Sequence, residues 1–567
     1  MIAPLREQWT TPPEEFFFCP GRDRGLHLLA PLPLMWRNLP RARLAGASVS
    51  ESPEIAERIE SHVETHFKRR SFRAGIEMAT VPVMAENLVA DGHFLSIGGK
   101  WLLSGAAGTR LRNRYAWKNE GVRDADAETI AFFDAVQAEA PPAPPVTSLP
   151  TGALPFVVDA RNGTNFYHFL TETLGQLCLV DTDDFTGEVF IHLKGEEVRD
   201  FIRAWVDQIF PRLVGRVHFE TGRKTYDRAL TVLNARHYYY QCGADVIPSL
   251  DHLAPDTHFW KGRSADRNSQ GVLAMNSCDQ MLLRLREKAL ERVADGNWDH
   301  LPRRFWVGRK SERQRDMAGE SELVEEMRRR DFAVVYFEDL SPLEQVAIMS
   351  RAEVMASYHG AGFANMLFAG ENTHCIEVGT LQTCLFRWQD FMPHVLASGC
   401  RYTSLLGDYN IPDPEEADER RGKSLAPVAL GKAGQARALG FIDAILGRVR
   451  VASLKRFTEL AELLSRLEDH GALRRLFETH RGVEKKDPDL MILWANALEG
   501  TSDTAGAFDA LTAAWEMTGD RPFLLERLIL LGCEIGRDTG PFETHHAARY
   551  PKRNALLERK IRRVTRG

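Results

Sequence analysis

The alternation of apolar runs with amphipathic segments across residues 153–406 constrains the fold of this chain most strongly. In the first half of that stretch, short apolar runs are typical of strands and the longer segments between them are typical of helices. The strand-like runs are LPFVVD, EVFIHL and RVHFE, and the helix-like segments are NFYHFLTETLGQLCLV and EEVRDFIRAWVDQIF. Strands that alternate with helices in this way predict crossover units and a parallel sheet.

A second set of the same kind begins after Leu301. Its predicted strands are RRFWVG, FAVVYF, EVMAS and HCIEVG, and its predicted helices include ESELVEEMRRR and FANMLF. Ser341 to Glu344 has the pattern of a capping box with proline at the first helical position. We therefore predict an α/β protein with two doubly wound, Rossmann-like domains, residues 153–300 and 301–406. Ligands of such sheets bind beyond the carboxyl ends of the strands, so two facing domains predict a cleft.

The flanking regions have a different character. Residues 1–140 predict a mixed, strand-bearing region, and the proline-rich stretch from Ala138 to Gly152 predicts a boundary after it. A charged, proline-punctuated stretch from Gly407 predicts a linker. Residues 432–567 predict helices, and Pro488 and Pro522 are separated by the 34 residues of a tetratricopeptide repeat. Several signature positions of that repeat are missing, so helical repeats and a plain helical bundle both fit.

The charge and the distribution of apolar residues restrict the partners that the protein can bind and the cellular compartment in which we expect it. The formal net charge is −6, which does not provide the basic field of a nucleic-acid binder. The sequence has neither a run of 18 apolar residues nor a basic segment followed by an apolar signal core, so we expect no transmembrane segment and a cytoplasmic protein. Peripheral association with the inner face of a membrane is compatible with this expectation.

The stretch SYHGAGFANMLFAG, residues 357–370, carries the most specific signal for a ligand. A predicted strand ends before His359, and Gly360, Ala361 and Gly362 lead into a predicted helix whose first N–H groups are unpaired. Such a turn is suited to the diphosphate of a nucleotide. The alternative is that the glycines only allow close packing. Asn365 stands where the dinucleotide-binding fingerprint has its third glycine, which argues against a nicotinamide enzyme.

Charged residues at neighbouring strand ends extend this prediction. Glu377, in the next strand, is placed to accept the hydroxyls of a ribose. Arg309 follows the strand RRFWVG, and Arg313 and Arg315 lie shortly after it. Guanidinium groups at this edge could neutralise a leaving diphosphate in the role that a metal ion often takes. For Arg313 and Arg315 a solvated loop is the alternative. No histidine or cysteine spacing typical of a metal site occurs, so we expect no required metal.

The preceding domain supplies a candidate general base. Asn165, His168 and Glu172 fall on one stripe of a predicted helix, and Asp159 ends the strand before it. An imidazole backed by a carboxylate can deprotonate a hydroxyl group. The alternative is that Asn165 caps the helix, while His168 and Glu172 form a surface pair.

Taken together, these segments resemble glycosyltransferase family 61. The resemblance covers roughly residues 154–406 and is most specific from Ser341 to Glu377, where Gln345, residues 359–362, Asn365 and Glu377 fall on the family pattern. Asn165, His168 and Glu172 match the amino-terminal signature, and Arg309 matches a strand-end arginine. This chain has Gly319 where the family usually has asparagine, and that departure bears on donor identity.

The resemblance implies a GT-B architecture and an inverting, metal-independent transfer. The implied donor is a nucleotide sugar, with UDP as the expected nucleotide, held mainly by residues 301–406. The implied acceptor is a glycan or another hydroxyl compound, and the implied setting is bacterial surface or capsular polysaccharide synthesis. The alternative is an inactive homologue that acts as a scaffold and binds a glycan or a protein partner through its helical repeats.

Overall fold

The structure is a computed structural model of the chain, and most of the sequence is described by it. The described residues are 11–31, 37–69, 74–108, 110–120, 124–195, 197–243, 270–310, 317–412, 417, 425–519 and 521–565. The chain forms two compact units. The larger is Met1–Ala42 with Ser52–Ala429, and the smaller is Arg43–Glu51 with Leu430–Gly567.

An eight-stranded mixed sheet, the first sheet, forms one half of the larger unit. Its parallel part confirms the strands predicted after Leu154, and antiparallel strands from the amino-terminal region extend it. In spatial order the strands are Val217–Thr221, Val189–Leu193, Phe156–Asp159, Arg223–Asn234, Thr80–Asp91, Phe94–Ile97 and Lys100–Trp101, with Leu26–Leu28 paired to Thr80–Asp91.

The amino-terminal region therefore shares a sheet with the residues that follow it. Arg223–Asn234 pairs antiparallel with Thr80–Asp91 along nearly its whole length, because both strands bury alternate apolar side chains in one core. The proline-rich connector lies within the same unit, where Leu28 donates its N–H to Pro145 and accepts the N–H of Thr147. A small sheet of Ser277–Asp279, Ala74–Met78 and Arg37–Pro40 also joins early and late segments of this unit.

A third sheet forms the other half of the larger unit and is largely parallel. Its strands in this unit, in spatial order, are Met317–Ala318, Val428–Ala429, Arg401–Tyr409, His374–Thr380, Val354–Tyr358, Arg304–Val307 and Ala333–Val335. All four strands predicted after Leu301 are confirmed. The predicted linker from Gly407 begins inside the strand Arg401–Tyr409, and most of the rest of it lies outside the described residues.

Helices of the larger unit connect and cover these sheets. They are Pro13–Phe16, Pro53–Arg69, Arg110–Lys118, Ala125–Glu139, Phe166–His168, Asp200–Ile209, Ala235–Tyr239, Gln270–Asn276, Gln280–Val293, Glu320–Arg328, Pro342–Arg351, Leu381–Phe386 and Met392–Ser398. The predicted capping box is confirmed, since the Ser341 hydroxyl accepts the N–H of Glu344 and the Glu344 carboxylate accepts the N–H of Ser341.

Two predicted helices have a geometry other than α. The segment after Asn165 has one α-helical turn, then a π-helix over Phe169–Thr173 and a 3₁₀-helix over Leu174–Leu179. The segment after Gly360 is a 3₁₀-helix over Ala361–Phe368. Both carry residues predicted to act on substrate, and irregular turns of this kind often occur at functional sites.

The smaller unit is mainly helical, as predicted. Its helices are Lys432–Ile445, Leu454–Arg466, His470–Thr479, Pro488–Gly500, Thr504–Thr518, Pro522–Glu534, Gly540–Arg549 and Pro551–Val564. Three of them begin at Leu454, Pro488 and Pro522, each 34 residues after the one before. The segment 43–51 completes this unit, where the Glu51 carboxylate accepts the N–H groups of Ala433 and Gly434.

In the described part of the chain, no helix combines the length and the apolar character needed to cross a lipid bilayer. The same residues contain no group of three or more His, Cys, Asp or Glu side chains placed to hold a metal ion.

Candidate functional site

A cleft of about 680 Å³ lies between the two halves of the larger unit. This volume is in the range of pockets that hold small molecules and cofactors. Its walls come from strand ends and the turns that follow them: the predicted residues Asn165, Arg309, Gly360, Ala361, Gly362 and Asn365 line it, together with Arg199, Phe337 and Glu338.

The turn at Gly360 is built around the guanidinium group of Arg309. Arg309 Nη2 donates to the carbonyl oxygen of His359 at 2.6 Å, and the guanidinium carbon lies 4.4 Å from the centre of the Tyr358 ring. A Cβ atom at position 360 would lie 1.6 Å from Arg309 Nη2. Because the backbone of Gly360 is extended, this close approach, rather than an unusual φ angle, is the reason for glycine here.

The start of the 3₁₀-helix supplies backbone donors to the cleft. Phe363 donates its N–H to the carbonyl of Gly360, whereas the N–H groups of Ala361 and Gly362 donate to no other described residue. Gly362 also lets the turn pack close to Phe337 on the same half of the unit, since a Cβ there would lie 3.3 Å from the Phe337 ring. Arg309 and these N–H groups together form a positively polarised patch.

Asn365 presents a buried acceptor at the same cleft. The side-chain nitrogen of Gln345 donates to the carbonyls of Phe337 and Leu340, so the Gln345 oxygen must face Asn365. Asn365 Nδ2 donates to that oxygen at 3.2 Å. Asn365 Oδ1 is consequently left buried and without a hydrogen-bond partner in the described structure. A bound ligand with an N–H or O–H group could satisfy it.

Glu377 lies under the turn and does not face the cleft. Its side chain is 0% exposed; Oε1 is 2.7 Å from His359 Nδ1, and Oε2 accepts the hydroxyls of Tyr402 at 2.5 Å and Ser404 at 3.1 Å. Burial and then the nearby carboxylate raise the pKa of Tyr402 well above its ordinary value, which keeps its hydroxyl a donor. The buried Glu377 carboxylate thus does not reach a ribose in the cleft and instead fixes the His359 ring with Nδ1 as the donor.

The opposite half of the unit carries the predicted base, and neither His168 nor Glu172 is among the residues that line the cleft. Asn165 Oδ1 accepts the N–H of His168, so Asn165 caps this segment, which was the alternative to its predicted binding role. His168 Nδ1 lies 3.1 Å from Glu172 Oε1, and Arg161 donates to the same oxygen at 3.1 Å. Burial alone would raise the pKa of Glu172, but the hydrogen bond and charge of His168 and the charge of Arg161 lower it below its ordinary value. An ionised Glu172 holds His168 Nδ1 protonated and leaves Nε2 free.

Aromatic rings connect the two histidines. The Tyr167 ring centre lies 5.1 Å from that of His168 and 5.7 Å from that of Phe391, and Phe391 lies 5.6 Å from His359. The turn Phe166–His168 also packs on the 3₁₀-helix Ala361–Phe368. Burial raises the pKa of the neighbouring Asp390, while its interactions with Arg387, His359 and His168 oppose that shift. His168 and His359 therefore lie in one region of the molecule.

Asp159 is buried behind this region and does not line the cleft. Its carboxylate is 0% exposed and accepts the Ser104 hydroxyl at 2.7 Å and the N–H of Ala106 at 3.4 Å. Burial raises its pKa to about 6, although these hydrogen bonds lower it in part. Asp159 supports the end of the strand Phe156–Asp159 through these hydrogen bonds, and it is not among the residues that line the cleft. Arg313 and Arg315 lie outside the described residues.

Sequence reasoning missed several residues of the region. Arg199 lines the cleft, is exposed and has no partner among the described residues. It follows the strand Val189–Leu193, so the strand-end argument that identified Arg309 could have found it. Tyr402 and Ser404 occupy alternate positions of the strand beside Glu377, so their side chains point to the same face of the sheet. The sequence alone does not show that this face meets Glu377, because the pairing of the two strands is not evident from it.

Comparison with known proteins gives one family. The family model Glycosyltransferase 61 matches residues 166–376, somewhat more than a third of the chain. The match begins one residue after Asn165 and ends one residue before Glu377, so it spans both walls of the cleft. No curated protein matches the chain. Residues 166–376, within the larger unit, are therefore similar to the glycosyltransferases of family 61.

Proposed function

We propose that the protein is an inverting glycosyltransferase that moves a sugar from a UDP-sugar to a hydroxyl group of a glycan acceptor. The observation that carries this proposal is the cleft itself, where Arg309 and two free backbone N–H groups face the half of the unit that holds the His168–Glu172 pair. The first and third sheets then act as the two halves of a GT-B enzyme. The setting we infer is bacterial surface or capsular polysaccharide synthesis.

The donor diphosphate binds at the turn of Gly360 to Gly362. Ala361 and Gly362 donate their N–H groups to it, and the guanidinium groups of Arg309 and Arg199 neutralise its charge. Asn365 Oδ1 accepts a donor group from the nucleoside. Glu377 orients His359 and does not hold the ribose, because its carboxylate is buried and does not line the cleft. Arg313 and Arg315 remain candidates for additional phosphate contacts.

His168 is the general base of the proposed reaction. Its free Nε2 takes the proton of the acceptor hydroxyl while the oxygen attacks the anomeric carbon of the donor sugar. The bond from that carbon to the diphosphate breaks, and its electron pair leaves with the nucleotide. Arg309 and Arg199 stabilise the developing negative charge, and Glu172 stabilises the imidazolium ion. Attack from the face opposite the leaving group inverts the anomeric centre.

Melting temperature in the presence of UDP-, GDP- and CMP-sugars tests the proposal. A UDP-sugar at 100 times its dissociation constant should stabilise the protein by about 2.7 kcal/mol. A scaffold with a decayed site would show no shift with any nucleotide sugar. We expect the shift with UDP-sugars to persist in EDTA, because guanidinium groups bind the diphosphate; loss of the shift in EDTA would contradict that part of the proposal.

A further inference from the structure

A second cavity lies behind the segment that carries His168. It has a volume of about 120 Å³. The same segment contributes to both spaces, because Asn165 and Phe166 line the cleft whereas Tyr167, Thr171 and Glu172 line the cavity. His168 lies between these two sets of residues in the chain.

One wall of the cavity holds Arg236, a largely buried residue whose guanidinium group has no counter-ion among the described residues. Arg236 is 9% exposed, its Nε donates to Ser277 Oγ at 2.9 Å, and its guanidinium carbon lies 5.0 Å from the centre of the Tyr240 ring. Within the described part of the chain, its two terminal nitrogens form no hydrogen bond or ion pair. Burial and then the charge of Arg236 lower the pKa of His394 to about 3, so the charge of this arginine is felt by its neighbours.

The carboxylates that line the same cavity form no ion pair with Arg236 among the described residues. Asp279 accepts the Thr80 hydroxyl at 2.7 Å and the N–H of Met281 at 2.8 Å, and it also accepts Asn234 Nδ2. Glu172 Oε1 is held by His168 and Arg161, while Glu172 Oε2 is buried without a hydrogen-bond partner. Asp390 lies 3.6 Å from Arg387. Within the described residues, the cavity therefore offers a guanidinium group with two unpaired nitrogens and an unpaired carboxylate oxygen.

We propose that this cavity binds the acceptor, and that the acceptor is an acidic sugar whose anionic group pairs with Arg236. A planar carboxylate or a phosphate can accept hydrogen bonds from both terminal nitrogens of Arg236 at once. Glu172 Oε2 accepts a second hydroxyl of the same ring, which orients the attacking hydroxyl toward His168. This inference rests on the proposed function, because it assigns the acceptor of that reaction.

Calorimetric titration of the full-length protein with matched sugars tests the inference. The probes are the methyl glycosides of glucuronic and galacturonic acid, their neutral parents methyl glucoside and methyl galactoside, and glucose 6-phosphate. We expect at least one acid or the phosphate to bind 10- to 100-fold more tightly than its neutral counterpart. The glucuronide and phosphate arms identify which anion is preferred. Equal affinity for charged and neutral sugars, or no binding of either, would overturn the inference.

Two variants assign the effect to Arg236. Arg236→Gln should abolish the preference for the acid, and Arg236→Lys should retain part of it because the charge remains without the bidentate geometry. Arg228→Gln is the matched control, since Arg228 is an exposed residue of the strand that leads to Arg236. An unchanged preference in Arg236→Gln would overturn the assignment. If Arg236→Gln does not fold, the Arg236→Lys protein carries the test.

A separate readout distinguishes this inference from the proposed function. The melting shift with UDP-sugars should be the same in Arg236→Gln and in the unmodified protein. Donor binding without any preference for acidic sugars would overturn the cavity assignment alone. Arg236-dependent binding of acidic sugars without donor binding would support the cavity and contradict the transfer reaction.

Discussion

Gly360 controls the proposed donor site most directly, because its lack of a side chain leaves room for Arg309. A Cβ atom there would overlap Arg309 Nη2, so Gly360→Ala should displace the guanidinium group from the turn. We expect Gly360→Ala and Arg309→Ala each to weaken UDP-sugar binding roughly 10- to 100-fold, the range for hydrogen bonds to a charged group. Titration calorimetry measures both changes.

The double variant makes this prediction specific. Because both substitutions remove the same interaction, Gly360→Ala with Arg309→Ala should bind no more weakly than either single variant. Gly370→Ala, just beyond the other end of the 3₁₀-helix, is the control, since its Cβ would meet its nearest neighbour at an ordinary 3.4 Å. Additive losses in the double variant would argue against a shared role.

His168 tests the chemistry separately from binding. We expect His168→Ala to lower the transfer rate by about 10² to 10⁴ while the melting shift with a UDP-sugar persists. Nucleotide release in the presence of an acceptor glycan measures the first effect. Loss of donor binding together with activity would assign His168 a structural role. His359→Ala is the comparison variant, because Glu377 fixes the His359 ring in the way that Glu172 fixes the His168 ring.

Asp159 predicts a pH dependence of stability. Its pKa is about 6 in the fold and ordinarily 3.8, so the folded state binds more protons between these values and stability falls as pH rises through them. Asp159→Asn cannot ionise. The melting temperature of the unmodified protein should therefore decrease relative to that of the variant from pH 5 to pH 8, by the equivalent of roughly 1 kcal/mol. A difference that is constant with pH would contradict the buried placement.

At the scale of elements, alanine substitutions at two glycines should change the stability of the protein in opposite directions. A Cβ at Gly175 would lie 2.8 Å from the carbonyl oxygen of Met281, where the 3₁₀-helix Leu174–Leu179 packs on Gln280–Val293. Gly175→Ala should cost about 1–3 kcal/mol because backbone must move. Gly440 lies within the helix Lys432–Ile445 and faces only the flexible end of Arg456. Gly440→Ala should stabilise by about 0.5–1 kcal/mol. Melting temperatures that change in the same direction would contradict this account.

Strands and caps were predictable from the sequence because their signals are local. The strands after Leu154 and Leu301 are short apolar runs, and the Ser341 box needs only adjacent residues. The π-helix Phe169–Thr173 was not predictable, because its extra residue per turn follows from packing rather than from periodicity. The prediction from strand ends holds for Arg309 and Gly360, which line the cleft. Glu377 and Asp159 instead turn inward, because their carboxylates bind partners that are distant in sequence.

At the scale of the whole molecule, the chain is interleaved between its two units. The segment 43–51 belongs with the helical unit, where Arg437 donates to the carbonyl of Ser50 at 2.6 Å. A truncation after Ala429 would leave that segment without its helices. We expect such a protein to melt at a lower temperature and to aggregate more than the full chain. Equal solubility and melting temperature would show that residues 430–567 are dispensable for folding of the larger unit.

Donor binding to paired variants tests the central claim most directly. A UDP-sugar is titrated into the unmodified protein, Arg309→Ala and Gly370→Ala. The unmodified protein and Gly370→Ala should bind it saturably, and Arg309→Ala should bind it about 10- to 100-fold more weakly. Absence of binding to the unmodified protein, or unchanged affinity in Arg309→Ala, would contradict a donor site at the Gly360 turn.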